Sequence, residues 1–169
     1  QTGKTPASED ACSQMACNKG ERRVLMYNAI VACLALNIYF EARNQSFEGQ
    51  VAVSQVVFNR VADHRYPDNV CDVVYQAERN NQGKVIRNRC QFSWFCDGKS
   101  DIPKDRDAFR WASVVARTIL DLGDTMPDYA NGATHYHTTA INPEWKISKE
   151  QTAVIEDHVF FRWLPEVRL

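Results

Sequence analysis

The sequence is short of several things at once. It has almost no net charge: 20 basic and 21 acidic side chains leave −1. That removes the electrostatic case for a nucleic-acid partner. It has only seven glycines, and none forms a phosphate-cradling loop or a dinucleotide fingerprint. It contains no G-x-S-x-G, so a nucleophile elbow is excluded, and no C-x-x-C, which weakens a structural zinc site. It shows no internal repeat and no long low-complexity segment. What remains is an ordinary globular balance in 169 residues, 44% apolar and 24% charged, which suits one domain with a real core.

Cysteine is the exception to this scarcity. Cys12, Cys17, Cys33, Cys71, Cys90 and Cys96 make an even count, which points to disulfides and an oxidising compartment. A bridge is expected within Cys71, Cys90 and Cys96, with Cys33 as a buried thiol in its apolar run. Gln1 in place of an initiator Met fits a mature secreted chain or a trimmed one. The apolar run from Val24 to Phe40 follows Arg22 and Arg23 and could pass for a signal peptide or a membrane span. It contains Asn28 and Asn37, ends at Glu41 and is short for a span, so it reads as a buried core helix rather than a membrane segment.

Periodicity places the other elements. Residues 1–22 are polar and small and are expected to be loosely ordered; 23–169 form a single domain. Residues 24–43 read as a helix with Asn37 and Glu41 on one face. Residues 47–63 are Val-rich, but Gln50, Ser54–Gln55 and Asn59–Arg60 recur at helical spacing. Residues 70–79 read as a short helix, NNQGK as a loop, and CQFSWFC as a strand or hairpin. Residues 107–122 form a helix with Asp105 as N-cap and Gly123 as stop. THYHTT and HVFFRW read as strands. The order implies an α+β fold dominated by helices.

Three groups could carry chemistry. Glu41 stands beside Tyr39 and Phe40, where desolvation raises a carboxyl pKa and keeps it protonated, as a glycosidase acid must be. The plainer reading pairs it with Arg43 or Arg60. His135 and His137 point to one side of a strand and with His158 could hold zinc for an amidase or hydrolase; the alternative is that they simply pack. Gln91, Phe92, Ser93 and Trp94 interleave aromatic and polar groups, which suits a sugar or an ordinary core hairpin. Trp145 could serve similarly. A non-catalytic binding module is a third class.

Taken in order, the blocks IYFEARNQSFEGQVAVSQVVFNRV, VCDVVYQ with CQFSWFCDG, NGATHYHT with INPEW, and EDHVFFRW resemble the SleB/CwlJ-type cell-wall hydrolase family across roughly residues 30–163. The resemblance implies a small lysozyme-like α+β domain acting on peptidoglycan glycan strands at the MurNAc–GlcNAc bond, by lytic transglycosylation in the best-known members. It implies Glu41 as catalytic acid and base, with Gln50, Gln91, Ser93, Tyr136 and His158 as groove residues. It implies no cofactor and no metal, and a periplasmic, extracellular or phage-encoded enzyme acting at the wall. A monomer is the default. One departure stands out: many members read Glu-Ala-Arg-Gly-Glu, whereas this chain has Gln45 at the second acid, with Glu48 nearby.

Overall fold

The structure, a computed structural model, describes residues 18–165. Cys12, Cys17 and most of the segment expected to be loosely ordered lie outside the described residues.

The first helix, α1, runs Lys19–Ala42. It starts earlier than the apolar pattern implies because Asn18 and Glu21 form a capping box: the Asn18 side chain accepts from the Gly20 and Glu21 amides, and Glu21 accepts from the Asn18 amide. By length and composition α1 could cross a membrane. Its second half, with Val31, Leu34, Ala35 and Ile38, is the centre of the core, while Val24, Leu25 and Met26 are exposed. Each buried Val, Leu or Ile side chain there contributes roughly 1.5–3 kcal/mol.

After a break at Arg43–Ser46, α2 runs Phe47–Val61 with Ser46 as N-cap. Its polar stripe docks a distant segment. Gln55 Nε2 donates to the Pro127 carbonyl and Gln55 Oε1 accepts from the Ala130 amide; Asn59 Nδ2 donates to Ala133 O and Arg60 Nε to Thr134 O. The same spacing that marks a helix in the sequence therefore fixes the chain leading into the third strand.

Helix α3 spans only Val70–Val74, and the chain then enters a hairpin of β1 (Ala77–Arg79) and β2 (Val85–Cys90). This corrects the helix expected over 70–79. CQFSWFC is also not a strand: β2 ends at Cys90 and Ser93–Phe95 is a 3-10 turn closed by the Cys90–Cys96 disulfide. Cys33 is not a thiol but is bonded to Cys71, tying α1 to α3. The reason is proximity: Cys33 is buried where α3 packs against α1.

Helix α4, Arg106–Leu122, begins at the Asp105 cap and ends at Gly123, whose φ of 49° turns the chain out of the helix. Strands β3 (His135–Thr138), β4 (Lys149–Ile155) and β5 (His158–Trp163) form an antiparallel sheet in the order β3-β5-β4. β4 has no counterpart in the sequence reading.

The helices enclose one apolar cluster. A second, with Ala42, Ala52, Val53, Val56 and Phe160, joins α2 to the sheet. Tyr136 packs against both, and α1 ends at their seam.

Candidate active site

Glu41 sits in the last turn of α1, half-buried. Its flanking aromatics hold that turn in place. The Tyr39 hydroxyl accepts from the Lys104 and Asp105 amides, pinning the approach to α4. Phe40 stacks on Trp94 with centroids 4.9 Å apart, and Trp94 Nε1 donates to buried Asn37, one turn before Glu41.

The Tyr136 hydroxyl reaches over from β3 and donates to Glu41 Oε2 at 2.8 Å. Neither arginine of the plainer reading forms an ion pair with Glu41. Arg43 lies over the Tyr39 ring at 5.0 Å, and Arg60 is bound to Thr134. Burial raises the Glu41 pKa above its ordinary value, against smaller opposing effects from the Tyr136 hydrogen bond and the Arg60 charge. The result is a carboxyl biased towards its protonated form, in a fixed orientation.

His158 belongs to the same side of the sheet. The register pairs Tyr136 with Phe160 and Thr138 with His158, so these four share one face. The His158 ring meets the Tyr136 ring edge-on at 5.1 Å. Burial lowers its pKa, and its Nδ1 has no hydrogen-bond partner.

His135 and His137 occupy the opposite face with Phe161. They pack with Trp145 at 5.4 and 5.7 Å, and His135 also meets Trp163 at 5.1 Å. Burial, helped by the charges of Arg60 and Lys149, holds His135 down to about 3. The three-histidine zinc arrangement fails for this reason: the strand register sends His158 to one face and the other two to the other. Among the described residues no cluster of metal-ligating side chains is formed.

The remaining predicted residues make no hydrogen bond to Glu41. Gln50 is buried in α2 and donates to Gln45 O at 3.2 Å, with Oε1 unpartnered. Gln91 and Ser93 are exposed beside buried Phe92 and Trp94, which connect their turn to Arg60 and Phe40. Neither touches Glu41 by a hydrogen bond. A cavity of about 490 Å³, lined by Gln55, Phe58, Asn59, Ile119, Met126 and Asp128, lies elsewhere, between α2 and the end of α4.

Gln45, the departure from the family pattern, has a structural task. Its amide donates to Asp157 Oδ2 and accepts from the Asp157 amide. Beside it, the Ser46 amide donates to Glu156 at 2.6 Å. Together they clamp the turn between α1 and α2 onto the β4–β5 turn. A glutamate at 45 would face the Asp157 carboxylate. Gly49 allows the approach: a Cβ there would stand 3.0 Å from that of Gln45. Nothing local in the sequence marks this clamp, since its halves are 112 residues apart.

Comparison with known proteins places the chain in a family. A family model described as Cell Wall Hydrolase matches residues 44–161, beginning just after Glu41. The chain is 29% identical over 135 residues to a spore cortex-lytic enzyme of Halalkalibacterium halodurans, and 24% over 131 residues to one of Oceanobacillus iheyensis. Each match covers 77% of this chain but only 34% and 40% of the relative, so the chain spans between a third and two fifths of their length. Among solved structures it resembles the catalytic domain of the Bacillus cereus SleB protein, with a TM-score of 0.54. It also resembles the catalytic domain of the germination-specific lytic transglycosylase SleB from Bacillus anthracis, with a TM-score of 0.56. Both are 22% identical; 79% of this chain is covered, against 89% and 93% of those domains. The fold is thus the helix-dominated, lysozyme-like α+β arrangement expected. The chain belongs to the cell wall hydrolase family, of the SleB/CwlJ type that its motifs resemble.

Proposed function

We propose that this protein cleaves peptidoglycan glycan strands between MurNAc and GlcNAc, with Glu41 acting first as acid and then as base. The observation that carries this reading is a single half-buried carboxyl, raised in pKa by its burial and oriented by the Tyr136 hydroxyl. Protonated Glu41 donates to the glycosidic oxygen as the bond to the MurNAc anomeric carbon breaks. The N-acetyl group of that sugar stabilises the cation formed. Ionised Glu41 then takes the proton of the sugar's own 6-hydroxyl, whose oxygen closes onto the anomeric carbon as a 1,6-anhydro ring. One group serves both steps, so no second carboxylate is required. Gln45, engaged with Asp157, and Glu48, exposed in the first turn of α2, agree with this economy. Gln50, Gln91, Ser93, Tyr136 and His158 are the residues proposed to line the groove. The two disulfides among the described residues suit an oxidising setting at the cell wall.

Mass spectrometry of fragments released from purified peptidoglycan tests the reading, with Glu41→Gln as control. Anhydro-muramic ends from the wild type and none from the variant are expected. Ordinary reducing ends would make water the acceptor. Wild-type activity in Glu41→Gln would remove the mechanism. Binding to sacculi with no product from either protein would leave a wall-binding module.

A further inference from the structure

We infer that Arg60 is a positioning residue for this reaction, its buried guanidinium stabilising the carboxylate that Glu41 becomes after giving up its proton. The inference rests on the reading of Glu41 above.

Arg60 is 5% exposed, yet among the described residues it has no carboxylate ion-pair partner. Nε donates to Thr134 O at 2.7 Å, and Nη1 has no hydrogen-bond partner at all. The Tyr66 and Phe92 rings hold the guanidinium at 5.3 Å each. An unpaired buried charge is costly, and docking the chain before β3 does not require one. Asn59, the preceding residue, makes the equivalent bond to Ala133 O with a neutral amide. The charge therefore has another use.

Glu41 is a nearby group that turns negative during the proposed reaction. Tyr136 bonds it from β3, and the Arg60 charge reaches it from α2, where Nε is fixed to the carbonyl of Thr134, two residues before Tyr136; β5 contributes His158 against the Tyr136 ring. Around Arg60 itself stand Tyr66, Tyr136, Glu41 and His135, of which only Glu41 can readily take a negative charge. Glu41 and Arg60 each feel the other's charge. While Glu41 is protonated this attraction is small. Once the proton has gone, a cation in a low-dielectric surround holds the carboxylate until it recovers a proton from the 6-hydroxyl. The two rings supply that cation with favourable faces without neutralising it.

The test is an NMR titration of the Glu41 side-chain carboxyl carbon, read beside the pH profile of wall cleavage. In folded Arg60→Met the Glu41 midpoint should rise by about one pH unit or more, and the alkaline limb of cleavage should move with it. Arg60→Lys should stay nearer the wild type. A merely structural role would lower stability without moving either. In wild-type protein the Arg60 Nε signal should titrate with Glu41, and that inflection should vanish in Glu41→Gln; this arm stands even if Arg60→Met does not fold. An unmoved midpoint in Arg60→Met, or no Arg60 inflection in the wild type, overturns the inference while leaving Glu41 as the acid. Full cleavage by Glu41→Gln removes the catalytic reading, and with it this role for Arg60, whatever the titration shows.

Discussion

A carboxyl whose pKa is raised by the fold works against the fold when it ionises. The native chain holds the Glu41 proton more tightly than the unfolded chain does. Its contribution is therefore complete below about pH 4.5, the ordinary carboxyl value, and is lost as pH rises through the raised native one. Glu41→Gln cannot ionise, so it should be more stable than the wild type near neutral pH and lose that advantage as pH falls through the raised native pKa to about 4.5. Urea midpoints of both proteins across this range measure it; a variant less stable throughout would mean that the carboxylate is a structural partner. Glu41 itself was legible in the sequence because a carboxylate directly after Tyr39 and Phe40 is physically out of place unless neutral or paired. Its partner was legible only through the family motif: nothing in THYHTT says that the Tyr136 hydroxyl, rather than a histidine, meets Glu41. Arg60 could be read as an ion-pair partner, but its bond to a backbone carbonyl could not.

At the scale of elements, the β4–β5 turn couples strain to binding. Glu156 sits at φ 47°, a left-handed conformation that favours glycine, and its carboxylate accepts from the Ser46 amide. Glu156→Ala loses the hydrogen bond and keeps the strain, so a loss of about 1 kcal/mol is expected. Glu156→Gly loses the same bond but relieves the backbone, and should be the more stable of the two by about 1 kcal/mol. Denaturant midpoints decide; equal stabilities would mean that the turn relaxes. The helices α1, α2 and α4 were legible from different signals: the apolar run of α1, the recurring polar positions of α2, and the Asp105 cap and Gly123 stop of α4. The β1–β2 hairpin was not, since VIRNRC is exposed at its four central positions and offers no alternation of apolar and polar residues to read. CQFSWFC misled for the opposite reason: its aromatics look strand-like, but the disulfide closes them into a turn.

At the scale of the whole molecule, the two bridges among the described residues differ in what they restrain. Cys33–Cys71 closes 38 residues of chain and Cys90–Cys96 only six. On loop-closure entropy the first is worth roughly 4 kcal/mol and the second roughly 2 kcal/mol. Replacing each pair by alanine should lower the unfolding free energy in that order; the reverse order would show that packing around Cys90 and Cys96 outweighs chain entropy. The sequence pointed to a bridge among the later cysteines but not to Cys33, because an apolar surround describes a buried thiol and a buried disulfide equally well.

The seam between the two apolar clusters has a consequence for the order in which the protein becomes competent. Glu41 lies in the first third of the chain, whereas the hydroxyl that holds it comes 95 residues later. As the chain is made, α1 and α2 emerge and can collapse long before β3 exists. Through that interval the carboxyl has no anchor and the second cluster has no sheet. On the proposed reading of Glu41, the site is complete only when the final third of the chain has docked, and a chain cut before β3 lacks the hydroxyl that orients the carboxyl.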